Sequence, residues 1–193
     1  MNENEVLGKY ECITPKLAQE SGVSKHQFYK YVKENELEQI CRGVYAAKDN
    51  WVDELYILHN RYPSAVFSHD EAFYYHGLTD REPLVHTLTM YSGFNAHRLV
   101  GDGGNKVYYV KRELLDIGKT IVADNYGNEI PVYDMERTIC DLIRNRNMIE
   151  QQEFNTVLKS YVSRKDKNIN RLMEYADLFK LKNVVRKYME VLL

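Results

Sequence analysis

Apolar and polar positions near the start of the chain follow a helical spacing interrupted by turn residues. Thr14-Pro15 begins a first helix, because threonine accepts from free first-turn amides and proline suits the first helical position. This helix is expected to end at residue 19 or 20, before the turn at Ser21-Gly22. Ser24 then caps a second helix that reaches about Asn35. The pattern predicts a helix-turn-helix pair.

The second helix has an apolar face and a polar face. At about 100° per residue, Phe28, Tyr31 and Val32 share one side, and cationic and aromatic residues share the other. The first turn of a recognition helix is the part that points at base edges or phosphates in the major groove of DNA. The candidate DNA contacts on this helix are Ser24, Lys25, His26, Gln27, Tyr29, Lys30 and Lys33.

Two short strands, at 37–41 and 44–47, follow the helix pair. Arg42-Gly43 between them is a hairpin signal, because glycine adopts the backbone conformations of tight turns. A hairpin in this place predicts the wing of a winged helix-turn-helix domain over residues 1–48. Arg42 at its tip, with Tyr45 nearby, is predicted to reach a phosphate or the minor groove. The alternative is a scaffold αα-hairpin with ordinary surface lysines.

The middle of the chain mixes helical and strand patterns. WVDELYILHNR, from Trp51 to Arg61, has helical spacing, and Ser68 and Glu71 are spaced as the capping box of another helix. The segments LVHTLTMY, KVYYV, TIVA and EIPVY are strand-like, and the first alternates like a half-buried strand. A turn is expected at 125–128.

The last third of the chain is helical. Asp134 caps a helix in which Met135, Ile139, Leu142 and Ile143 share one face, and the helical pattern continues from residue 150 onward. We therefore predict an α+β protein, with a winged helix-turn-helix domain at 1–48 and, at 49–193, a mixed α/β domain ending in a helical bundle.

Composition places the chain among folded soluble proteins. Apolar residues make up 44% of the 193 positions and charged residues 28%, which excludes disordered and low-complexity classes. No apolar run approaches the ~18 residues of a membrane span, and no signal-peptide pattern opens the chain. A cytoplasmic protein without membrane contact is expected. Three widely spaced cysteines predict neither a disulfide framework nor a zinc knuckle.

Charge is segregated along the chain. Residues 1–48 carry 7 basic and 7 acidic side chains, 49–136 carry 7 and 14, and 137–193 carry 12 and 7. The basic last third predicts a surface for a polyanion, and the alternative is a solvated face that completes amphipathic helices. The residues of this candidate polyanion surface are Lys159, Arg164, Lys165, Lys167, Arg171, Lys182, Arg186 and Lys187.

No catalytic or cofactor-binding motif assembles in the sequence. The histidines between residues 59 and 97 form no HExxH or equivalent ligand spacing, and the chain has no Walker loop and no GxSxG. We therefore predict no cofactor, no metal and no catalytic residue. The carboxylates of a metal-enzyme alternative are Asp70, Glu71, Asp134 and Glu136. A helix cap, a dipole partner and an Arg137–Asp141 ion pair explain the segment around Asp134 with fewer assumptions.

Four segments of the chain, in this order, carry a family resemblance. They are the N-terminal helices and hairpin, SHDEAFYYHGLT, VYDMERTICDLIRNR, and the terminal LMEYADLFKLKNVVRKYMEVLL. Together they span nearly the whole chain and resemble AbiEi-family antitoxins of bacterial type IV abortive-infection toxin–antitoxin systems. These motifs are mostly structural, so they indicate the family better than they indicate a site.

The resemblance implies a double function. The N-terminal domain of such a protein represses its operon by binding inverted repeats in the promoter, and the C-terminal domain counteracts a nucleotidyltransferase-like toxin without a stable complex. Two alternatives stay open for residues 49–193: a metal-dependent enzyme acting on the toxin or its RNA substrate, and an RNA-binding protein that masks the toxin's target.

Overall fold

The structure, a computed structural model, describes residues 6–50, 53–101, 104–124 and 127–192. Within these ranges it is an α+β protein with two sheets and nine α-helices, which confirms the predicted class. The chain forms two compact units. The first comprises Met1–Ser64 and Ala123–Ile130, and the second comprises Ala65–Val122 and Pro131–Leu193.

The first unit contains the predicted helix pair. A short strand, β1 (Cys12–Ile13), precedes α1 (Pro15–Glu20) and α2 (Lys25–Glu34). Thr14 caps α1 by accepting from the Leu17 amide at 3.1 Å, as its place before proline predicts. Buried apolar side chains from both helices and from the segment before them form one core, which includes Val6, Leu7, Ile13, Ala18, Val23 and Phe28.

The predicted hairpin is also present, as β2 (Glu38–Cys41) and β3 (Val44–Ala46). Gly43 in its turn has a φ of +80°, a conformation that a residue with a Cβ rarely adopts. β3 lies between β1 and β2 and is antiparallel to both. The strand before the helices therefore pairs with the hairpin after them, so helices and hairpin belong to one small structure.

The first unit continues past residue 48. α3 (Glu54–Arg61) begins at Glu54, and Trp51, where the sequence pattern placed its start, lies outside the described residues. Tyr56 of α3 packs on buried Cys12, Val44 and Ala46. The segment predicted as a separate domain, 1–48, thus lies within a larger unit.

A five-stranded mixed sheet lies mainly in the second unit. Its strands are β4 (Val66–Phe67), β5 (Thr87–Tyr91), β6 (Lys106–Val110), β7 (Lys119–Ala123) and β8 (Glu129–Tyr133), in the order β6-β5-β4-β8-β7. β4 is antiparallel to β5 and parallel to β8, and β5 is parallel to β6. Two short helices, α4 (Asp70–Tyr75) and α5 (His97–Gly101), connect strands. The turn predicted at 125–128 lies partly outside the described residues.

The last third of the chain is helical, as predicted. It forms α6 (Met135–Arg144), α7 (Gln151–Ser163), α8 (Ile169–Leu178) and α9 (Lys182–Leu192). Asp134 caps α6 by accepting from the Arg137 amide at 2.8 Å. No helix in the described ranges is long and apolar enough to cross a bilayer.

The burial of α6 extends well beyond the apolar face predicted from its sequence. Every residue from Met135 to Ile143 is buried, because α4, α7, α8 and α9 all pack around this helix. Its polar residues therefore need partners inside the protein. Fully buried Arg137 donates to Asp141 at 2.9 Å and to the Leu114 and Ile117 carbonyls at 2.8 and 2.6 Å. The predicted i,i+4 ion pair is thus confirmed as a buried one.

Candidate functional site

The polar face of α2 is exposed, whereas Phe28 on the opposite face is completely buried. Four cationic or ionisable side chains of this face lie in solvent: Lys25, His26, Lys30 and Lys33. Ser24 and Tyr29 are exposed with them, and Gln27 is half-buried. The candidate DNA contacts on α2 therefore share one accessible surface.

A capping box holds the first turn of α2. Ser24 Oγ accepts from the Gln27 amide at 3.3 Å, and Gln27 Oε1 accepts from the Ser24 amide at 3.0 Å. The Ser24 hydroxyl also donates to Gln27 Oε1 at 2.6 Å. A glutamine that reads adenine uses both its oxygen and its amide group. Because the oxygen of Gln27 is already bound, a bidentate base contact would require the box to open.

Lys30 of α2 has a weak partner. Lys30 Nζ lies 3.8 Å from Glu34 Oε1, and both side chains are more than half exposed, at 57% and 62%. An exposed i,i+4 pair of this kind contributes only about 0.3–0.5 kcal/mol. Little stability is therefore lost when Lys30 leaves the carboxylate for a phosphate oxygen, so Lys30 can serve as a phosphate contact.

Three aromatic rings connect α2 to the hairpin. Tyr29 and Tyr45 both meet the buried Phe28 ring edge to face, with centroids 5.2 and 5.5 Å from it, and their own centroids are 6.2 Å apart. Edge-to-face pairs of this geometry are favourable. They fix the position of β3 against the helix, and Arg42 lies exposed in the turn that begins β3. α2 and the hairpin tip, whose exposed cations are those of α2 and Arg42, are here called the α2–hairpin surface.

The candidate polyanion surface divides into two groups. Four of its eight cations make bonds within the protein. Arg164 pairs with Asp166 at 2.7 Å and donates to the His76 carbonyl, and Lys167 donates to the Arg164 carbonyl. Arg171 lies 4.0 Å from Glu136, and Lys182 lies 3.2 Å from Asp177. In the described part of the chain, the remaining four make no ion pair: Lys159, Lys165, Arg186 and Lys187.

The four carboxylates of the metal-enzyme alternative lie in different bonding environments. Asp134 caps α6 and accepts from the Tyr175 hydroxyl, and Glu136 accepts from the Asn168 amide at 2.8 Å. Glu71 accepts from His86 at 2.5 Å. Asp70 lines a cleft of about 280 Å³, and burial raises its pKa. Among the described residues, no three or more His, Cys, Asp or Glu side chains are grouped to hold a metal ion.

A buried polar network around His69 was not predicted from the sequence. The His69 Nδ1 contacts Ser68 Oγ at 3.0 Å, and Asn145 Nδ2 donates to Nε2 at 3.0 Å. The ring stacks on Tyr108 with centroids 3.4 Å apart. Burial lowers the pKa of His69 well below its usual range, and nearby cations lower it further. His69 is therefore held neutral.

The same network overturns the predicted capping box of Ser68 and Glu71. α4 begins after His69, which makes no side-chain cap hydrogen bond. Ser68 Oγ accepts instead from Thr89 at 2.8 Å, and Glu71 pairs with His86. β5 also departs from the half-buried alternation expected of it, because Thr87 and Thr89 are buried like their apolar neighbours. Both hydroxyls bond to residue 68, which explains their burial.

Comparison with known proteins finds similarity among solved structures. No family model matches the sequence, and no curated protein matches it. Among solved structures, the RV2827C protein from Mycobacterium tuberculosis is similar, with a TM-score of 0.55 and 12% sequence identity. The alignment covers 91% of this chain and 71% of that chain. At this identity the similarity concerns the fold, and it supports the α+β architecture.

Proposed function

We propose that the first unit contains a winged helix-turn-helix that binds double-stranded DNA, through which the protein represses its own operon. The observation that carries this proposal is the α2–hairpin surface, on which the exposed cations of α2 lie beside a hairpin that the Tyr29–Tyr45 contact fixes in place. In this mode α2 enters the major groove, and Arg42 reaches a phosphate or the minor groove.

The antitoxin function belongs to the same proposal. Its support is the order of motifs over nearly the whole chain, which resembles the AbiEi family. On this basis the protein is a cytoplasmic antitoxin that counteracts a nucleotidyltransferase-like toxin without a stable complex. The promoter target is a set of inverted repeats, so two copies of the α2–hairpin surface meet one operator.

Salt dependence of DNA affinity tests the α2–hairpin surface. Binding of a fluorescent duplex from the protein's own promoter is measured by anisotropy at several salt concentrations for wild type and for Lys25→Ala, Lys30→Ala and Lys33→Ala. Each lost phosphate contact lowers the log–log salt slope by about 0.9. Lys111→Ala is the matched control, because Lys111 lies in the second unit and, like Lys30, makes an exposed pair at 3.8 Å.

The salt slopes of the variants distinguish the two outcomes. The proposal expects a smaller slope in the three α2 variants and an unchanged slope in the control. If all four proteins show the wild-type slope, α2 does not contact DNA and the winged-helix proposal is wrong.

A cellular assay tests the antitoxin function separately. The triple variant Lys25→Ala, Lys30→Ala, Lys33→Ala is expressed from a foreign promoter together with the toxin of the same operon. Loss of repression with retained protection of growth is expected, because the three lysines lie on the proposed DNA surface. If wild-type protein also fails to protect growth, the antitoxin function is refuted while the DNA-binding result stands on its own.

A further inference from the structure

A groove of about 470 Å³ lies among the C-terminal helices of the second unit. Residues of α7 and α9 form its walls, and the Phe154 and Tyr188 rings meet across it with centroids 5.5 Å apart. The apolar lining follows helical spacing on both helices. It consists of Phe154, Leu158, Val184, Tyr188, Val191 and Leu192.

This groove leaves apolar side chains in solvent. Val191 keeps 83% of its surface exposed and Val184 keeps 36%, although Val185 beside them is fully buried in the core. Val184 and Val191 are seven positions apart, so they lie on the same side of α9 about 10 Å from each other. A contiguous apolar strip of this kind, bordered by polar residues, is typical of a protein interaction site.

The border of the groove is cationic. Lys159 of α7 and Lys187 of α9 line it from opposite helices, and Arg146 lies at a third point. No carboxylate lines the groove among the described residues. Within the same part of the chain, Lys159 and Lys187 make no ion pair, so their charges are free to meet an acidic partner.

We propose that this groove binds an amphipathic helix of another protein, with carboxylates on both sides of its apolar stripe. Two rows of apolar side chains, at i and i+4 on α7 and at i, i+4 and i+7 on α9, line a trough that a third helix fills. Cations on both walls select the carboxylates. The inference goes beyond DNA binding and uses residues outside the α2–hairpin surface.

Synthetic peptides test the proposal. The probe is a fluorescent peptide of about 18 residues with leucines at i, i+3, i+4 and i+7 and glutamates on both flanks, long enough to populate a helix. A second peptide carries lysines in place of the glutamates, and a third has the first peptide's composition in scrambled order. Anisotropy at about 0.15 M salt, where screening acts beyond about 8 Å, measures their affinities for the full chain.

Three variants localise the binding. Val191→Asp places a charge on the apolar strip at an exposed position, so it leaves the core intact. The double change Lys159→Glu, Lys187→Glu inverts the border. The double change Arg98→Glu, Lys111→Glu alters net charge equally at exposed positions away from the groove and is the matched control.

The proposal expects the acidic peptide to bind wild type and the control alike, and to lose about tenfold or more in affinity with the other two variants. The variant Lys159→Glu, Lys187→Glu is expected to bind the lysine peptide more tightly than wild type does. Equal binding of the scrambled peptide, or an equal loss in the control, overturns the proposal.

Two further measurements exclude other occupants. If sedimentation shows a wild-type dimer that Val191→Asp dissociates, a second copy of this chain fills the groove and the proposal is wrong. If sodium oleate binds wild type but not Val191→Asp, and the acidic peptide binds neither, the site takes a lipid-like amphiphile and the proposal is again wrong.

Discussion

Gly118 has no room for a side chain. Its φ is +75°, and a Cβ built on it would lie 2.5 Å from the Arg137 Cβ and 3.3 Å from Asp134 Oδ1. Both neighbours are fixed, Arg137 by its buried hydrogen bonds and Asp134 by its cap of α6. The close approach also allows the Asp134 amide to donate to the Gly118 carbonyl at 2.7 Å. This glycine therefore sets the distance between its loop and α6.

We expect Gly118→Ala to destabilise the protein by about 2–4 kcal/mol, since it combines a disfavoured φ with a clash against fixed atoms. Urea unfolding followed by circular dichroism measures the change. Gly93→Ala is the control, because Gly93 has a similar φ of +97° but no atom within 4 Å of the added Cβ. Equal losses of stability in the two variants would show that the backbone conformation, and not the close approach to Arg137, explains why position 118 requires glycine.

His69 makes stability depend on pH. Burial is the main cause of its lowered pKa, and the charges of Lys106, Arg137 and Arg144 lower it further. Below a pH of about 6.5 the unfolded chain binds a proton at this position that the folded chain does not bind. The stability that neutral His69 contributes is therefore present above this pH and is lost as the pH falls.

We expect the free energy of unfolding to decrease from pH 7 to pH 5.5, with His69 contributing up to about 1.4 kcal/mol per pH unit. Urea titrations of wild type and His69→Gln at each pH isolate this contribution, because glutamine does not titrate. If the unfolding free energies of the two proteins fall in parallel with pH, His69 does not cause the pH dependence of stability.

At the scale of single elements, variants of the α2 capping box distinguish its contribution to stability from its contribution to DNA recognition. Glutamate at the position of Gln27 preserves such a box but removes the amide donors. We expect Gln27→Glu to keep the melting temperature of wild type and to lose affinity for promoter DNA. Ser24→Ala is expected to lower stability by about 1 kcal/mol.

Gln19→Glu provides the control for added negative charge, because Gln19 is exposed on α1. Melting curves and anisotropy on specific and random duplexes give the two readouts. If Gln27→Glu and Gln19→Glu weaken specific binding equally, Gln27 makes no contact with a base.

Elements with local signals could be predicted to within a residue or two. The caps at Thr14, Ser24 and Asp134 each bond to an amide three positions later, so both partners lie close together in the sequence. Ser68 has the same local signal, but its hydroxyl bonds to Thr89, 21 residues away. A distant partner of this kind cannot be read from spacing, and the predicted capping box failed for that reason.

The candidate sites also differ in whether local sequence patterns or distant residues form them. The exposed face of α2 follows from helical periodicity alone, so its members were predictable. The His69 network was not, because Asn145 lies 76 positions away. In α9, Val185 is fully buried and its neighbour Val184 is exposed, and this difference depends on which helices pack against α9.

At the scale of the whole molecule, the first unit is discontinuous. It comprises both Met1–Ser64 and Ala123–Ile130, whereas the large helical core lies entirely within the second unit. We expect a fragment of residues 65–193 to melt cooperatively and to retain the groove between α7 and α9, with its affinity for the acidic peptide. Residues 1–64 alone are expected to melt at a lower temperature than the same unit in the full chain.

Circular dichroism and calorimetry of the two fragments and the full chain provide the measurement. A residue 1–64 fragment as stable as the first unit of the full chain would show that 123–130 contributes nothing to it. A non-cooperative 65–193 fragment would show that its core depends on the rest of the chain.

The divided first unit has a consequence for synthesis on the ribosome. The chain emerges from its N-terminus, so α1, α2 and the hairpin leave the exit tunnel long before Ala123–Ile130 does. At about 5–20 residues per second, the delay is several seconds. A nascent chain therefore carries its cationic surface while one part of the supporting unit is still untranslated, and full stability of that unit comes only late in translation.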